Sequence, residues 1–217
     1  MLDNYKSAKV KPIIVINLKT YQQGAKAVNI AKEVERVDRN IILGVQASDI
    51  YEISKSTKLK IYAQHVDYYE PGRNTGYILP EAVKKDGAIG TFLNHSEHKL
   101  SYDTLKKTIE RCKRIKLKTL VFASNLKEAE KIQKLKPDYL AIEPPELVGG
   151  KKSVLTEKPE LIRKIKSKIK MKFLVGAGVH THEDVIIACK LGAAGIAVSS
   201  AITKAKNPEK KLRELIK

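Results

Sequence analysis

A carboxylate set between strand-forming residues and two prolines is the first feature of this chain that can do chemistry. Tyr139-Leu140-Ala141-Ile142 are β-formers or small apolar residues, Glu143 ends the run, Pro144-Pro145 hold the chain extended, and Gly149-Gly150 free the far end. A carboxylate on such a post, followed by a loop able to act as a lid, suits a general base that must be shielded from water. Alone, the stretch also reads as a strand ending in a solvated glutamate before a turn. Other apolar runs end on groups of matching use. Asn17 and Lys19 close one run, on the same side by alternation; Gln64-His65 and Asn94-His95-Ser96-Glu97 close two more; Gly176-Ala177-Gly178 and Ser199-Ser200 close the last two. A cation, an imidazole and a carboxylate, together with Gly- and Ser-rich turns whose free N–H groups can bind an anion, imply acid–base chemistry on a small phosphorylated compound.

Those groups meet only if the runs that end on them lie side by side. Strand-length apolar runs occur at 13–17, 41–45, 59–63, 88–93, 118–122, 139–142, 173–175 and 195–198. Helical spacing recurs between and after them, at Leu105/Ile109/Cys112, Leu126/Ala129/Ile132, Leu161/Ile165/Ile169, Val185/Ala188/Cys189 and Leu212/Leu215/Ile216. Ser101 and Asn125 can cap their helices, Thr181 with Asp184 resembles a capping box, and Asn207-Pro208 puts proline at a first helical position. Segments 48–56 and 80–86 allow about two turns each. Eight strands alternating with helices predict a single (β/α)8 barrel, an α/β fold occupying residues 1–217 with a polar lead-in at 1–11. In that fold the strand ends share one mouth, and the turns after strands seven and eight take the phosphate position. A doubly wound open sheet is the alternative, but no Gly-x-Gly-x-x-Gly follows the first strand.

The formal charge is +18, from 42 Lys and Arg against 24 Asp and Glu. These charges are spread over nearly every expected helix, and with no Trp and only three Phe there is no stacking platform, so nucleic acid is not the expected partner. Cys112 and Cys189 have no metal-type spacing and fall on apolar stripes, as buried free thiols of a reducing compartment would. The apolar run after the polar N-terminus is too short for a signal segment or a membrane span, which points to the cytoplasm. His180 and His182 lack a carboxylate or Cys to complete a metal site, and His65 and His98 read as structural or solvent-facing.

Seven motifs in order, Asn17-Leu18-Lys19-Thr20-Tyr21, Ala63-Gln64-His65-Val66-Asp67, Thr75-Gly76, Asn94-His95-Ser96-Glu97, Ile142-Glu143-Pro144-Pro145-Glu146-Leu147-Val148-Gly149, Gly176-Ala177-Gly178 and Gly192-Ala193-Ala194-Gly195, resemble the triosephosphate isomerases in their short archaeal form. The resemblance runs from about residue 13 to the C-terminus, and the His95 and Glu143 motifs together are highly specific. It implies interconversion of dihydroxyacetone phosphate and glyceraldehyde 3-phosphate through an enediolate. Glu143 would be the base, a neutral His95 the electrophile, Lys19 the electrostatic group and Asn17 its positioner. Glu97 would support the site from just outside it, while Gly149, Gly178, Ser199 and Ser200 would contact the phosphate, mostly through backbone N–H. Thr75 would reach the site of a neighbouring subunit, the active unit being a homodimer or homotetramer. No metal or organic cofactor is implied, and the only small-molecule partner is the phosphorylated triose.

Three departures from the family pattern stand out. The usual Gly-Thr-Gly at the lid's end reads Gly149-Gly150-Lys151, which bears on its closing rate; His98 replaces the common basic residue after Ser-Glu; and Phe122 stands where a Cys is usual. Two other readings remain at this point. A sugar-phosphate epimerase would share the phosphate turns without requiring Asn17, Lys19, His95 and Glu143 as placed, and a nucleic-acid-binding protein would use the +18 charge.

Overall fold

Strand β1, Ile13–Asn17, pairs in parallel with β2, Ile42–Val45, and also with β8, Gly195–Val198; β3, Lys60–Ala63, β4, Gly90–Leu93, β5, Lys118–Ala123, β6, Tyr139–Ile142, and β7, Phe173–Val175, complete a closed parallel barrel in sequence order. This is a computed structural model that describes residues 11–148, 150 and 153–217. Closure leaves no exposed sheet edge. All eight strands fall on the expected apolar runs, to within two residues at either end.

Ten helices are found among the described residues: α1, Ala25–Val37; α2, Ile50–Ser56; α3, Pro80–Lys85; α4, Tyr102–Arg114; α5, Leu126–Gln133; α6, Val154–Glu157; α7, Pro159–Lys168; α8, His182–Lys190; α9, Ser200–Thr203; and α10, Pro208–Leu215. The expected caps are present. Ser101 accepts from Thr104 N, Asn125 from Glu128 N and Asn207 from Lys210 N, and Thr181 forms a full capping box with Asp184. Helix α1 had no such signal, because Gly24 precedes it with no side-chain cap; its Ala27, Ile30, Ala31 and Val34 face nonetheless packs on the barrel.

Alternation along each strand sends one set of side chains outward to the helices and the other into the barrel. The inner set is Val15, Ile42, Tyr62, Phe92, Leu120, Phe122, Ala141, Leu174 and Ala197. Large rings fit because glycines face them: a Cβ on Gly44 would come within 2.0 Å of the Phe92 ring, and one on Gly90 within 2.4 Å of Tyr62. The result is an aromatic column, Tyr62 to Phe92 at 5.9 Å and Phe92 to Phe122 at 5.5 Å, that stiffens the floor beneath the C-terminal mouth.

Cys112 is fully buried, and burial pushes its thiol up to about 12, which keeps it protonated at neutral pH. Cys189, expected to be buried, is only partly so, because it lies on the flank of α8 beside the fully buried Ala188. Both are free thiols. Among the described residues no helix is long and apolar enough to cross a membrane.

Candidate active site

Lys19 leaves β1 with φ of 49°, a left-handed conformation that a residue with a Cβ keeps only when its neighbours enforce it. The enforcing groups are two amides. Asn17 Oδ1 accepts from Lys19 N at 2.9 Å, and Gln64 Nε2, from the end of β3, donates to the Lys19 carbonyl at 2.8 Å and to Asn17 Oδ1 at 3.2 Å. The ammonium group is thereby turned into the mouth, where it lies 2.6 Å from Oε1 of Glu97. Its side chain is 11% exposed against 57% for Glu97, so the lysine belongs to the interior of the site and the glutamate to its rim.

His95 follows β4 and is 7% exposed. The backbone N–H of Glu97 donates to its Nδ1 at 3.2 Å, so in the neutral ring Nε2 carries the proton. The edge-on ring of Phe122 packs at 4.8 Å, extending the aromatic column to the imidazole. The loop bearing His95 is tied down by Asn94, itself left-handed at φ of 59°, whose side chain donates to Phe122 O at 2.9 Å and to Glu128 Oε1 at 2.8 Å and accepts from Leu100 N at 3.0 Å. Glu128 also takes Lys99 Nζ and Ser124 N; burial opposes its charge, but these donors outweigh it and hold the carboxyl below its ordinary range.

Glu143 emerges from β6 opposite His95, 8% exposed, with its Oε2 2.9 Å from His95 Nε2. That short separation is not an aligned hydrogen bond, since Oε2 is buried with no hydrogen-bond partner. The unmet oxygen is the chemically informative fact, because a carboxylate oxygen with no partner beside the recess is free to take a proton. Room for the carboxylate comes from Gly176 on the neighbouring strand, where a Cβ would lie 3.0 Å from Glu143 Oε1.

Across Lys19 lies the anion side of the mouth. Ala177 and Gly178 are successive left-handed residues, φ 71° and 70°, that fold the chain back after β7. After β8, Ile202 N and Thr203 N both bond to Ser199 O, which leaves the first-turn N–H groups of Ser200 and Ala201 unpaired within α9. Ser199 Oγ is buried without a partner. Glu143, Gly178, Ser199 and Ser200 line a recess of about 40 Å³, while Asn17, Gln64, His95 and Glu97 line an adjoining cleft of about 400 Å³; Lys19 belongs to both. The arrangement can hold an anionic group in the recess and present the adjoining carbons to a base, a neutral donor and a cation.

Asn17, Lys19, His95, Glu97, Glu143, Gly178, Ser199 and Ser200 are thus brought together. Thr75 is not; it is exposed at the tip of the loop after β3, and Gly149 and Lys151 lie outside the described residues. His98 is exposed, as expected, and His65 is half-buried, and both also border the larger cleft. Their rings lie 4.2 Å apart in the wall of the larger cleft, with His65 Nε2 3.2 Å from Asp67, and burial pushes the His65 imidazole below its ordinary value. Sequence reading placed Gln64 and Gly176 at strand ends but missed their positional work, and it did not single out Glu128. Among the described residues no cluster of His, Cys, Asp or Glu is disposed to hold a metal ion.

Residues 12–217 match the family model described as triosephosphate isomerase. The triosephosphate isomerase of Saccharolobus solfataricus is 43% identical over 94% of this chain and 95% of its own length, and that of Methanocaldococcus jannaschii 40% identical over 94% and 99%. A crystal structure of triosephosphate isomerase from Bartonella henselae superposes with a TM-score of 0.70 over 96% of this chain and all of that one; at 17% identity it speaks for the fold alone.

Proposed function

The chain belongs to the triosephosphate isomerase family, and from that premise we propose that it interconverts dihydroxyacetone phosphate and D-glyceraldehyde 3-phosphate with Glu143, His95 and Lys19 as the working groups. The observation that carries this assignment of roles is the buried Glu143 carboxylate, held 2.9 Å from His95 Nε2 with one oxygen unpartnered. Glu143 takes a proton from the carbon next to the carbonyl; the electron pair moves onto the carbonyl oxygen and yields an enediolate. His95, with its proton on Nε2, donates to the two enediolate oxygens in turn as the hydroxyl proton passes from one oxygen to the other, and Glu143 returns its proton to the adjacent carbon. Triosephosphate isomerases are themselves the standard case of this division of labour between a glutamate and a neutral histidine.

Lys19 joins cleft and recess, a position from which one ammonium meets both the phosphate charge and the charge developing on oxygen. Gly178, Ser199 and Ser200 face the phosphate, chiefly through backbone N–H groups, and the partnerless Ser199 hydroxyl favours the same use. Gly149 keeps its expected phosphate contact as part of the proposal. The +18 charge raises the encounter rate of a dianionic substrate in a salt-sensitive manner.

The proposal includes a homodimer or homotetramer in which Thr75 reaches the neighbouring site. Asp67 exchanges two backbone-directed hydrogen bonds with Ile78 at 2.8 Å, which pins the base of the Thr75 loop, and the stacked rings of Tyr68 and Tyr69, with Tyr77 tilted against Tyr69, brace it. Tyr77 is 49% exposed, as an aromatic awaiting a partner surface would be. A cytoplasmic setting is consistent with the two free thiols.

The test is conversion of glyceraldehyde 3-phosphate to dihydroxyacetone phosphate, coupled to reduction of the product, for wild type and Glu143→Gln in parallel. Turnover in the mutant should fall by at least about a thousandfold with its melting temperature preserved. A mutant within tenfold of wild type would remove Glu143 from the role of base.

A further inference from the structure

Two histidines stand in the wall of the larger cleft without a part in the proton transfers, His65 just after β3 and His98 in the loop after β4. Their ring centroids are 4.2 Å apart and their planes 31° from parallel, so one imidazole lies largely over the other. Each ring is fixed from a different strand end. His65 Nε2 lies 3.2 Å from Asp67 Oδ1, and an ionised carboxylate only accepts, so that nitrogen carries the proton. The other oxygen of Asp67 takes the N–H of Ile78 at 2.8 Å. His98 closes a four-residue turn, its N–H donating to the carbonyl of His95 at 2.9 Å with Ser96 and Glu97 at the corners.

This turn bears on the chemistry through its third residue. The N–H of Glu97 donates to His95 Nδ1 at 3.2 Å and so keeps the proton of a neutral His95 on Nε2, where the isomerisation needs it. At the His95 end the turn is secured by the hydrogen bonds of Asn94. At the His98 end it packs on the ring of His65.

We propose that His65 and His98 are positioning residues, a stacked imidazole pair that holds the turn from His95 to His98, and with it the donor proton of His95, and that releases the turn in acid when both rings are charged. This rests on the isomerase reading. Once the stack is lost, the Glu97 N–H drifts from Nδ1 and the ring populates the tautomer protonated there, so Nε2 has no hydrogen to give the enediolate oxygens. Two imidazolium rings at 4.2 Å repel each other. Burial pushes His65 below its ordinary value although Asp67 acts the other way, so the pair is intact at neutral pH. The charged and titratable groups around the pair are Asp67 from the loop after β3, His95 and Glu97 from the loop after β4, and Lys19 from the end of β1, already paired with Glu97. Lys99 is turned to Glu128, and the loop after β2 lends the cleft only uncharged side chains.

The experiment compares wild type, His98→Ala and His98→Phe as they assemble in solution, with size-exclusion chromatography and thermal melts beside steady-state kinetics from about pH 8 down to about pH 5.5. At about pH 8, where the rings are neutral, His98→Ala should lose about two- to tenfold in kcat, the range an aromatic pair supplies, with KM within about twofold. His98→Phe keeps a ring on His65 but cannot take a proton, and should stay within about twofold of wild type. As pH falls, the ratio of His98→Ala to wild type should climb toward one, because wild type loses the stack that the variant already lacks, while His98→Phe should come to exceed wild type. An unchanged kcat in His98→Ala, a loss that phenylalanine does not recover, or ratios that do not move with pH overturn the proposal. Nitrogen NMR of His95 supplies a readout independent of activity. Nδ1 should be unprotonated in wild type and partly protonated in His98→Ala, and identical His95 spectra in the two overturn the proposal whatever the kinetics. A wild type that converts neither triose phosphate removes the isomerase reading, and the spectra then decide by themselves whether the stack holds the turn.

Discussion

Replacing Gly176 with alanine tests whether the position of the Glu143 carboxylate, and not merely its presence, sets the rate. The added Cβ would lie 3.0 Å from Glu143 Oε1, whereas ordinary contact begins at 3.4 Å, so the carboxylate must retreat by roughly the difference, 0.4 Å. Gly176 cannot easily retreat instead, because its N–H is bonded to Ile142 O at 2.9 Å in the β6–β7 pairing that also carries Glu143. A misplacement of 1 Å costs about a hundredfold in rate, and proportional scaling to 0.4 Å gives about sixfold, or about 1 kcal/mol of barrier. The backbone of Gly176 is not left-handed, so alanine removes unfolded-state freedom and by itself stabilises by about 0.4–1 kcal/mol, offsetting the local crowding. Gly176→Ala should therefore lower kcat about three- to twentyfold with KM within about twofold and the melting temperature within a few degrees of wild type. Steady-state kinetics with separate kcat and KM, alongside a thermal melt, reads all three. An unchanged kcat would mean that the carboxylate has slack, and a raised KM with unchanged kcat would place Gly176 in substrate binding; either outcome refutes the argument.

Gln64→Met keeps the volume of the side chain but removes both hydrogen bonds that hold Lys19 and Asn17, so kcat/KM should fall about ten- to thirtyfold. The loss should appear in KM as well as kcat, since a relaxed Lys19 leaves the recess and the cleft together; stopped-flow or steady-state kinetics giving less than a twofold effect would show that Asn17 alone suffices. Glu128 makes a prediction in acid. Its folded pKa is lowered from 4.5, so its stabilising contribution is present above that value and is lost as pH falls through the folded pKa. Glu128→Gln should cost about 1 kcal/mol at neutral pH and flatten the fall of stability below 4.5, measured by urea unfolding across pH. Parallel curves for mutant and wild type over that range would exclude Glu128 as a titrating support.

Strand identity and strand ends were legible in this chain because each is written locally: an apolar run states burial on both faces, and the polar residue that ends it states where the barrel mouth begins. Asn17, Lys19, His95 and Glu143 are therefore placed in one mouth by the sequence alone, and Ser101, Asn125, Thr181 and Asn207 mark their helix starts by side-chain chemistry. Gln64, Gly176 and Glu128 were not legible, because what each does is a distance between strands. Gln64 crosses from the end of β3 to the end of β1, Glu128 from α5 to the loop after β4, and Gly176 from just after β7 to Glu143 just after β6. Even so, the missing information is small in the case of Gly176. Ile142 pairs with Val175, so Glu143 and Gly176 occupy the same rung, and a base that needs space on that rung requires its neighbour to have no side chain. Register alone, added to the sequence, turns an ordinary turn glycine into a condition on the rate, and for that reason the alanine there, rather than removal of the base itself, is the sharper test of the geometry.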